Sequence, residues 1–524
     1  MTEDLRRPAG AASGDGEADL RQRLASLPLE QKVRLLTGAD FWSLHPEPAV
    51  GLRRLVVSDG PAGVRGELWD ERDPSANVPS PTALAASWDE ARVERLGRLL
   101  AAEARRKGVD VLLAPTVNLH RTPYGGRHFE CLSEDPLLTA RIGAAYVRGV
   151  QAGGVAATVK HFVANDSETD RFSLDARVDE RTLRELYLAP FETIVREAGV
   201  WAVMAAYNAV GGTTMTEHPM LSDVLSAEWG FDGVVMSDWY AARSTEAAAR
   251  AGLDLVMPGP AGPWGEQLAA AVRAGRVAEA AVDAKVLRLL RLAARVGALD
   301  GAGPAPPPAG PWPDDAVAAE LRAAAAAGFV LVRNAGVDAA GAPLLPLQRP
   351  AVRRVAVLGP NAAAARTLGG GSATVFPPFT VSPLDGLRAA LGPGVRVDHS
   401  PGTSAGDRLP AAPLALLVRP DGSGPGLEVR FLAADGTVRR REQRASAALT
   451  WLGRFAPGLP VADVAAVEVH TRLRAPEAGT YRVGASGVGH ARLTLDGVVA
   501  FDTRIELPPG ADPVEAMMRP PQRA

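Results

Sequence analysis

Lysine is almost missing from this 524-residue chain, with four residues against a large excess of arginine. Much of the richness in Ala, Arg and Gly is therefore compositional bias, which lowers the weight of any single Arg or Gly. Cysteine is reduced to Cys131, so no internal disulfide can form, which fits a reducing compartment or an extracellular protein that needs no bridge. Net charge is low, −3 with both signs interspersed, and gives no reason to expect nucleic acid or an anionic membrane as a partner. No uninterrupted apolar run reaches membrane-spanning length. The opening "MTEDLRRPAGAASGDGEADLRQR" has neither an apolar h-region nor a small-residue cleavage site, and the expectation is a soluble, cytoplasmic protein. Metal signatures are missing too: there is no HxH, HExxH or cysteine pair. The run "GGGSATV" lacks the lysine of a nucleotide-phosphate loop, so Gly369 to Gly371 are expected to form a tight turn. No cofactor is expected.

What is present is apolar bulk. With 47% hydrophobic and 22% charged residues, the chain can bury large cores, and its length predicts two or three domains. After a polar tail at 1–18, residues 19–299 alternate β-rich runs with helical patterns, which argues for βα units and a parallel sheet. The runs are "RLVVSDG" (54–60), "DVLLAPTVN" (110–118), "VAATVKHFVAN" (155–165), "WAVMAAYNAV" (201–210), "GVVMSDW" (233–239) and "LDLVMPG" (253–259). Between them, helix 89–107 places Val93, Leu96, Leu99, Leu100 and Ala104 on one face and stops at Gly108; helix 220–229 stops at Gly230. Six parallel strands with crossover helices predict a TIM-like (β/α) barrel, complete or reduced, with an open doubly wound sheet as the alternative.

Residues 300–315, "DGAGPAPPPAGPWPDD", read as a linker. Residues 316–400 then carry an alanine-rich helix (316–327) and short strands at 329–334, 354–360 and 395–400, too few for a complete sheet. From 401 to 524, short alternating strands with Gly and Asp-Gly turns predict an antiparallel β domain.

Most runs of the first region end in polar or reactive side chains: Ser58 and Asp59, Asn118, Lys160 and His161, Tyr207 and Asn208, Ser237 and Asp238. In a parallel barrel these ends share one face, where such barrels place their chemistry. Each residue also has a plainer use. Asp238 could cap the next helix, Asp59 could make an Asx turn before Gly60, and Lys160 could be a surface residue beside a packed His161. As neighbours in a strand, Lys160 and His161 point to opposite faces, so both reach one ligand only if the strand breaks up there. Arg127, in the loop "TPYGGRHFECLSEDP" (122–136), offers a rigid fork for a polyhydroxylated ligand or a carboxylate.

Taken together, "SDGPAGVR", "LAPTVNLHRTPYGGRHFECLSEDP", "VKHFVAND", "MAAYNAV", "EWGFDGVVMSDW" and then "VLVRN", "VAVLGPNA" and "GGGSA" resemble, in order, glycoside hydrolase family 3 of the β-glucosidase type. The resemblance covers nearly the whole chain from about residue 24. It implies a barrel-like domain followed by an α/β sandwich, with the site between them. It further implies Asp238 as nucleophile, Tyr207 as its support, Asp59, Arg127, Lys160 and His161 as sugar ligands, and Trp239 as an apolar wall. Residues 401–524 resemble the protective-antigen-like β domain that some members insert into their sandwich. Xylosidase and arabinosidase activities occur within the same family, whereas the "FVANDSETDR" continuation after Lys160 and His161 disfavours hexosaminidase activity.

Retaining hydrolysis needs a carboxylate nucleophile and a protonated carboxyl acid about 5–5.5 Å apart. Among Glu130, Glu134, Asp135, Glu168 and Asp170 none has a family motif in its favour, and the resemblance implies an acid in the sandwich beyond the inserted β domain. The expectation is therefore that the acid lies beyond Ala524 and that residues 316–400 show free strand edges and exposed apolar surface. The competing functions are a carbohydrate-binding protein without turnover and an aldolase-like enzyme using Lys160 as a Schiff base.

Overall fold

The computed structural model describes residues 14–301, 312–336, 341–403, 408–451, 454–511 and 520–524. Most of the proposed 1–18 tail and of the 300–315 linker lies outside them. Strands Ser43–Leu44 (β1), Leu55–Asp59 (β2), Val111–Leu113 (β3), Ala156–Phe162 (β4), Ala202–Ala205 (β5) and Val234–Ser237 (β6) form one sheet in that spatial order. β2 to β6 pair in parallel, and β1 joins β2 antiparallel. Every residue of the six strands is buried, which is why they are continuous apolar runs rather than alternating ones.

The crossover helices cover this sheet. Glu90–Arg106 (α1) is capped by Asp89, whose carboxylate accepts from Arg92 N–H, and buries Val93, Leu96, Leu99, Leu100 and Ala104. Gly108, just past its end, has φ 69°. Pro136–Ala152 (α2) starts on a cap from Asp135. α1 and α2 lie close together because Gly149 lacks a side chain: a Cβ there would sit 2.2 Å from the Glu94 carbonyl oxygen.

Four expectations need correction. "LDLVMPG" is not a full strand. It joins the sheet through single parallel bridges, Met236 with Leu255 and Thr37 with Val256, and Gly38 bridges Leu44. These bridges curl the sheet from β6 back toward β1, and Pro258, with no N–H to donate, stops a longer ladder. Residues 14–18 belong to helix Gly14–Ala25, which packs on helix Glu279–Arg295 by burying Leu20 and Leu24 and pairing Glu17 with Arg291. Helix 220–229 forms a wide-turned helix, Leu221–Glu228. "FVLVRN" makes no strand, having no partner ladder among the described residues, and Phe329 to Val332 are exposed.

The rest of that region is helix Asp314–Ala327, strands Arg354–Leu358 and Arg396–Ser400 as a parallel pair, and helix Pro383–Leu391. The pair has no third strand among the described residues, matching the expected free edges. After residue 401 the strands are antiparallel: Leu427–Leu432 lies between Val438–Arg444 and Ala466–His470. Gly489–Leu495 and Val498–Ile505 form a hairpin. Its two turn residues, Asp496 (φ 48°) and Gly497 (φ 83°), are both left-handed, as a type I′ turn requires. This β unit has a small core of its own around Val429, Phe431 and Ala456.

Charged contacts tie that unit to the loop after β2. The buried Arg444 donates to both carboxylate oxygens of Glu71, Arg72 reaches Glu442, and Arg454 reaches Glu67. A cavity of about 180 Å³ lies at this junction, lined among others by Trp42, Arg65, Trp69 and Trp451.

Candidate active site

The parallel strands all end at one edge of the sheet, so their last residues converge, as ligand sites on parallel sheets do. Asp59 ends β2 and is buried. Its Oδ1 accepts from Lys160 Nζ at 2.8 Å and from Gly60 N–H at 3.2 Å, and its Oδ2 from Ser372 Oγ at 2.5 Å. The local contact to Gly60 and the ion pair therefore coexist. Burial opposes ionisation of Asp59, yet the Lys160 and Arg65 charges hold its carboxyl well below the usual range. Nothing in this arrangement presents Lys160 as a free amine for a Schiff base, because its Nζ is engaged by Asp59.

Lys160 and His161 both point toward the strand-end carboxylates. Pairing of β4 with β5 is irregular between Val159 and Phe162, so the strict alternation of side chains lapses where the sequence required it to. Lys160 meets Asp59, while His161 Nε2 lies 3.5 Å from Asp238 Oδ2. Asp238 follows β6 and is buried. Its Oδ1 accepts from Trp239 N–H at 2.7 Å, a local turn contact. Its Oδ2 has no hydrogen-bond partner among the described residues. Burial raises the Asp238 carboxyl, against the opposing pull of Arg127, Lys160, the Trp239 N–H and the Tyr207 hydroxyl. Tyr207 is itself pushed well above its ordinary value by burial and by the Asp238 charge. It therefore remains a proton donor beside the carboxylate.

Arg127 brings the 122–136 loop to the same place. Nε and Nη2 grip Glu130 at 3.0 Å each, Nη1 lies 3.5 Å from Glu168, and Nη2 faces His161 Nε2 at 3.2 Å. Three of the five carboxyls considered as acids have other work. Glu130 is held bidentately, Glu168 lies between Arg127 and Arg171, Asp135 caps α2, and Glu134 and Asp170 are exposed. Asp166 is pushed up to about 6 by burial and is tied to Leu119 N–H. The Cys131 thiol is pushed up to about 12 by burial, which makes it inert as a nucleophile. Among the described residues no group of three His, Cys, Asp or Glu could hold a metal ion.

Trp239 follows Asp238 and is buried. Its ring packs 5.1 Å from Trp42, and its Nε1 donates to the Phe41 carbonyl. Sequence reasoning missed Trp42, Phe41, Arg65 and Ser372. The Arg65 guanidinium stacks on Trp42 at 3.8 Å, donates from Nη1 to the Ser372 carbonyl and leaves a buried Nη2 without a partner among the described residues. Ser372 arrives on the glycine run: Gly370 and Gly371 have positive φ, and a Cβ on Gly369 would lie 2.2 Å from the Phe129 ring. The tight turn was legible in that run, but its hydroxyl cargo was not.

A model of the glycosyl hydrolase family 3 N-terminal domain matches residues 47–292, and one of the family 3 C-terminal domain matches residues 329–479. A β-glucosidase of Rhizobium radiobacter is 44% identical over 481 residues, covering 91% of this chain and 57% of that protein. β-Glucosidase B of Emericella nidulans is 36% identical, covering 94% and 57%. The chain thus spans little more than half the length of these curated relatives. Among solved structures, a Kluyveromyces marxianus β-glucosidase in complex with glucose superposes with TM-score 0.73 at 33% identity, over 82% of this chain and 52% of that one. A Streptomyces venezuelae β-glucosidase in complex with D-glucose gives 0.67 at 32% identity, over 78% and 56%.

Proposed function

The chain belongs to glycosyl hydrolase family 3, and from that premise we propose that it carries the nucleophile and sugar subsite of a retaining β-glucosidase. The observation that supports this most directly is Asp238, a buried carboxylate with one oxygen held by Trp239 N–H and the other free. A nucleophile needs that free lone pair, and Lys160, Arg127 and Tyr207 supply the field that keeps it ionised. In this reading Asp59, Lys160, Arg127 and His161 bind the hydroxyls of a terminal β-D-glucosyl residue, and Trp239 lies against its ring. Attack on the anomeric carbon forms a glycosyl ester with Asp238, which water then hydrolyses. The general acid is assigned to none of the five carboxyls considered above. We read residues 19–299 as the barrel-like body, 316–400 as sandwich and 401–524 as a protective-antigen-like β domain over the site.

The test is incubation with a 2-fluoro-β-glucoside followed by peptide mass spectrometry. A covalent sugar on Asp238 is expected. Binding without labelling would replace hydrolysis by carbohydrate binding alone, and labelling elsewhere would move the nucleophile.

A further inference from the structure

Asn118 follows β3 and is buried, and its amide clamps the backbone and ring of His161 together. Nδ2 donates to the His161 carbonyl at 2.9 Å, while Oδ1 accepts from the His161 N–H at 2.8 Å and faces ring Nδ1 at 3.0 Å. The amide orientation is unambiguous, because a backbone N–H only donates and a carbonyl only accepts. Ring Nδ1 therefore faces an acceptor and must carry a hydrogen. On the other side, ring Nε2 faces Arg127 Nη2 at 3.2 Å. A guanidinium only donates, so Nε2 must present its lone pair.

We propose that Asn118 is a positioning residue that locks His161 in the neutral Nδ1–H tautomer, so that Nε2 anchors Arg127 and withholds a proton from the Asp238 carboxylate. Nε2 lies 3.5 Å from Asp238 Oδ2. Carrying a hydrogen, it would donate to the one carboxylate oxygen that has no partner and occupy the lone pair needed for attack. The cations around the ring act in the same direction. Arg127, Lys160 and Arg171, together with burial, oppose an imidazolium; Asp238 is the charge that favours one. Both hydrogens of Arg127 Nη2 are thereby committed, one to Glu130 and one to His161, so a sugar hydroxyl that His161 binds must donate to Nε2 and displace the Arg127 hydrogen.

The catalytic consequence rests on Asp238 being the nucleophile; the tautomer does not, and the experiment separates them. Protein labelled with ¹⁵N-histidine is read by long-range ¹H–¹⁵N correlation, with the His161 signals identified by their loss in His161→Gln. The wild-type ring is expected to give the neutral Nδ1–H pattern from pH 5 to 8. In Asn118→Asp the carboxylate at the same position favours an imidazolium, with Nε2–H turned to Asp238. The acid limb of kcat/KM on an aryl β-glucoside is then expected to shift upward in pH, and kcat to fall about tenfold or more, the equivalent of one hydrogen bond to a charged group. A wild-type ring in the Nε2–H or charged form overturns the proposal without needing any variant to fold. So does a folded Asn118→Asp protein with an unchanged pH profile. An Nδ1–H ring in a protein whose Asp238 is not labelled by the 2-fluoroglucoside supports the lock and defeats the nucleophile reading instead.

Discussion

Replacing Asp238 by Asn is expected to remove turnover and to raise stability. Asp238 is 7% exposed, and among the described residues its Oδ2 is buried without a partner. Burying that charge costs more than the surrounding donors and cations return, which is why its carboxyl is raised. The cations that offset this each keep a carboxylate of their own, Asp59 for Lys160 and Glu130 for Arg127. The neutral amide therefore relieves the cost without stranding either cation. A gain of about 1–3 kcal/mol is expected, each kcal/mol worth roughly 2–4 °C in Tm for a body of this size. The pH dependence follows from the direction of the shift. Because burial raises the Asp238 carboxyl above its unfolded value of 3.8, the folded state binds more protons between the two values. Wild-type stability therefore falls as pH rises through that window, and the full penalty is present above it. The Asp59 contribution has the opposite sign, since its carboxyl is lowered, and it is common to both proteins. The advantage of Asp238→Asn should accordingly be small near pH 3 and full at pH 7. Differential scanning calorimetry of both proteins across that range checks it. A variant less stable than wild type at pH 7 would refute the reasoning, because it would mean that the cations around Asp238 make its charge net stabilising.

Lys160→Met removes one partner of a buried ion pair and leaves Asp59 charged; a loss of about 3–5 kcal/mol is expected in chemical denaturation, together with weaker glucose binding by calorimetry. Glu130→Gln loosens the bidentate grip on Arg127, so kcat/KM should fall. Added azide should not restore it, because azide rescue would identify Glu130 as an acid/base rather than an anchor. Tyr207→Phe withdraws a donor from the Asp238 carboxylate; the expected loss in kcat/KM is about 10–100-fold, the range for a hydrogen bond to a charged group, with KM for an aryl glucoside changing less than kcat. Arg444→Met strands Glu71 at the junction of the two units, so limited proteolysis should cut 401–511 faster while 14–301 stays protected. Equal cutting rates would mean that the β unit is held by other contacts.

The α1 boundaries were legible because capping is local: Asp89 and Gly108 act within a few residues of the helix they bound. Strand ends were legible for the same reason, since apolar runs that stop at Asp59, Lys160 and Asp238 mark where buried backbone meets a polar mouth. Ser372 was not legible as a partner of Asp59, because 313 residues separate them and no periodicity spans that distance. "LDLVMPG" misled in the other direction. Its composition is that of a strand, but Pro258 and Pro260 remove the donors that a ladder needs.

Residue order alone determined the α/β alternation, the run of glycines that turns at 369–371, and the delivery of Asp238, Lys160 and His161 to strand ends, because each depends on side-chain pattern within one turn or strand. Only the tertiary structure decided which oxygen of Asp238 lacks a partner among the described residues, which groups face the two nitrogens of His161, and which carboxyls are bound to arginine. Those outcomes depend on donor and acceptor distances of about 3 Å between segments remote in the chain, and a hydrogen bond is made or lost over a few tenths of an ångström.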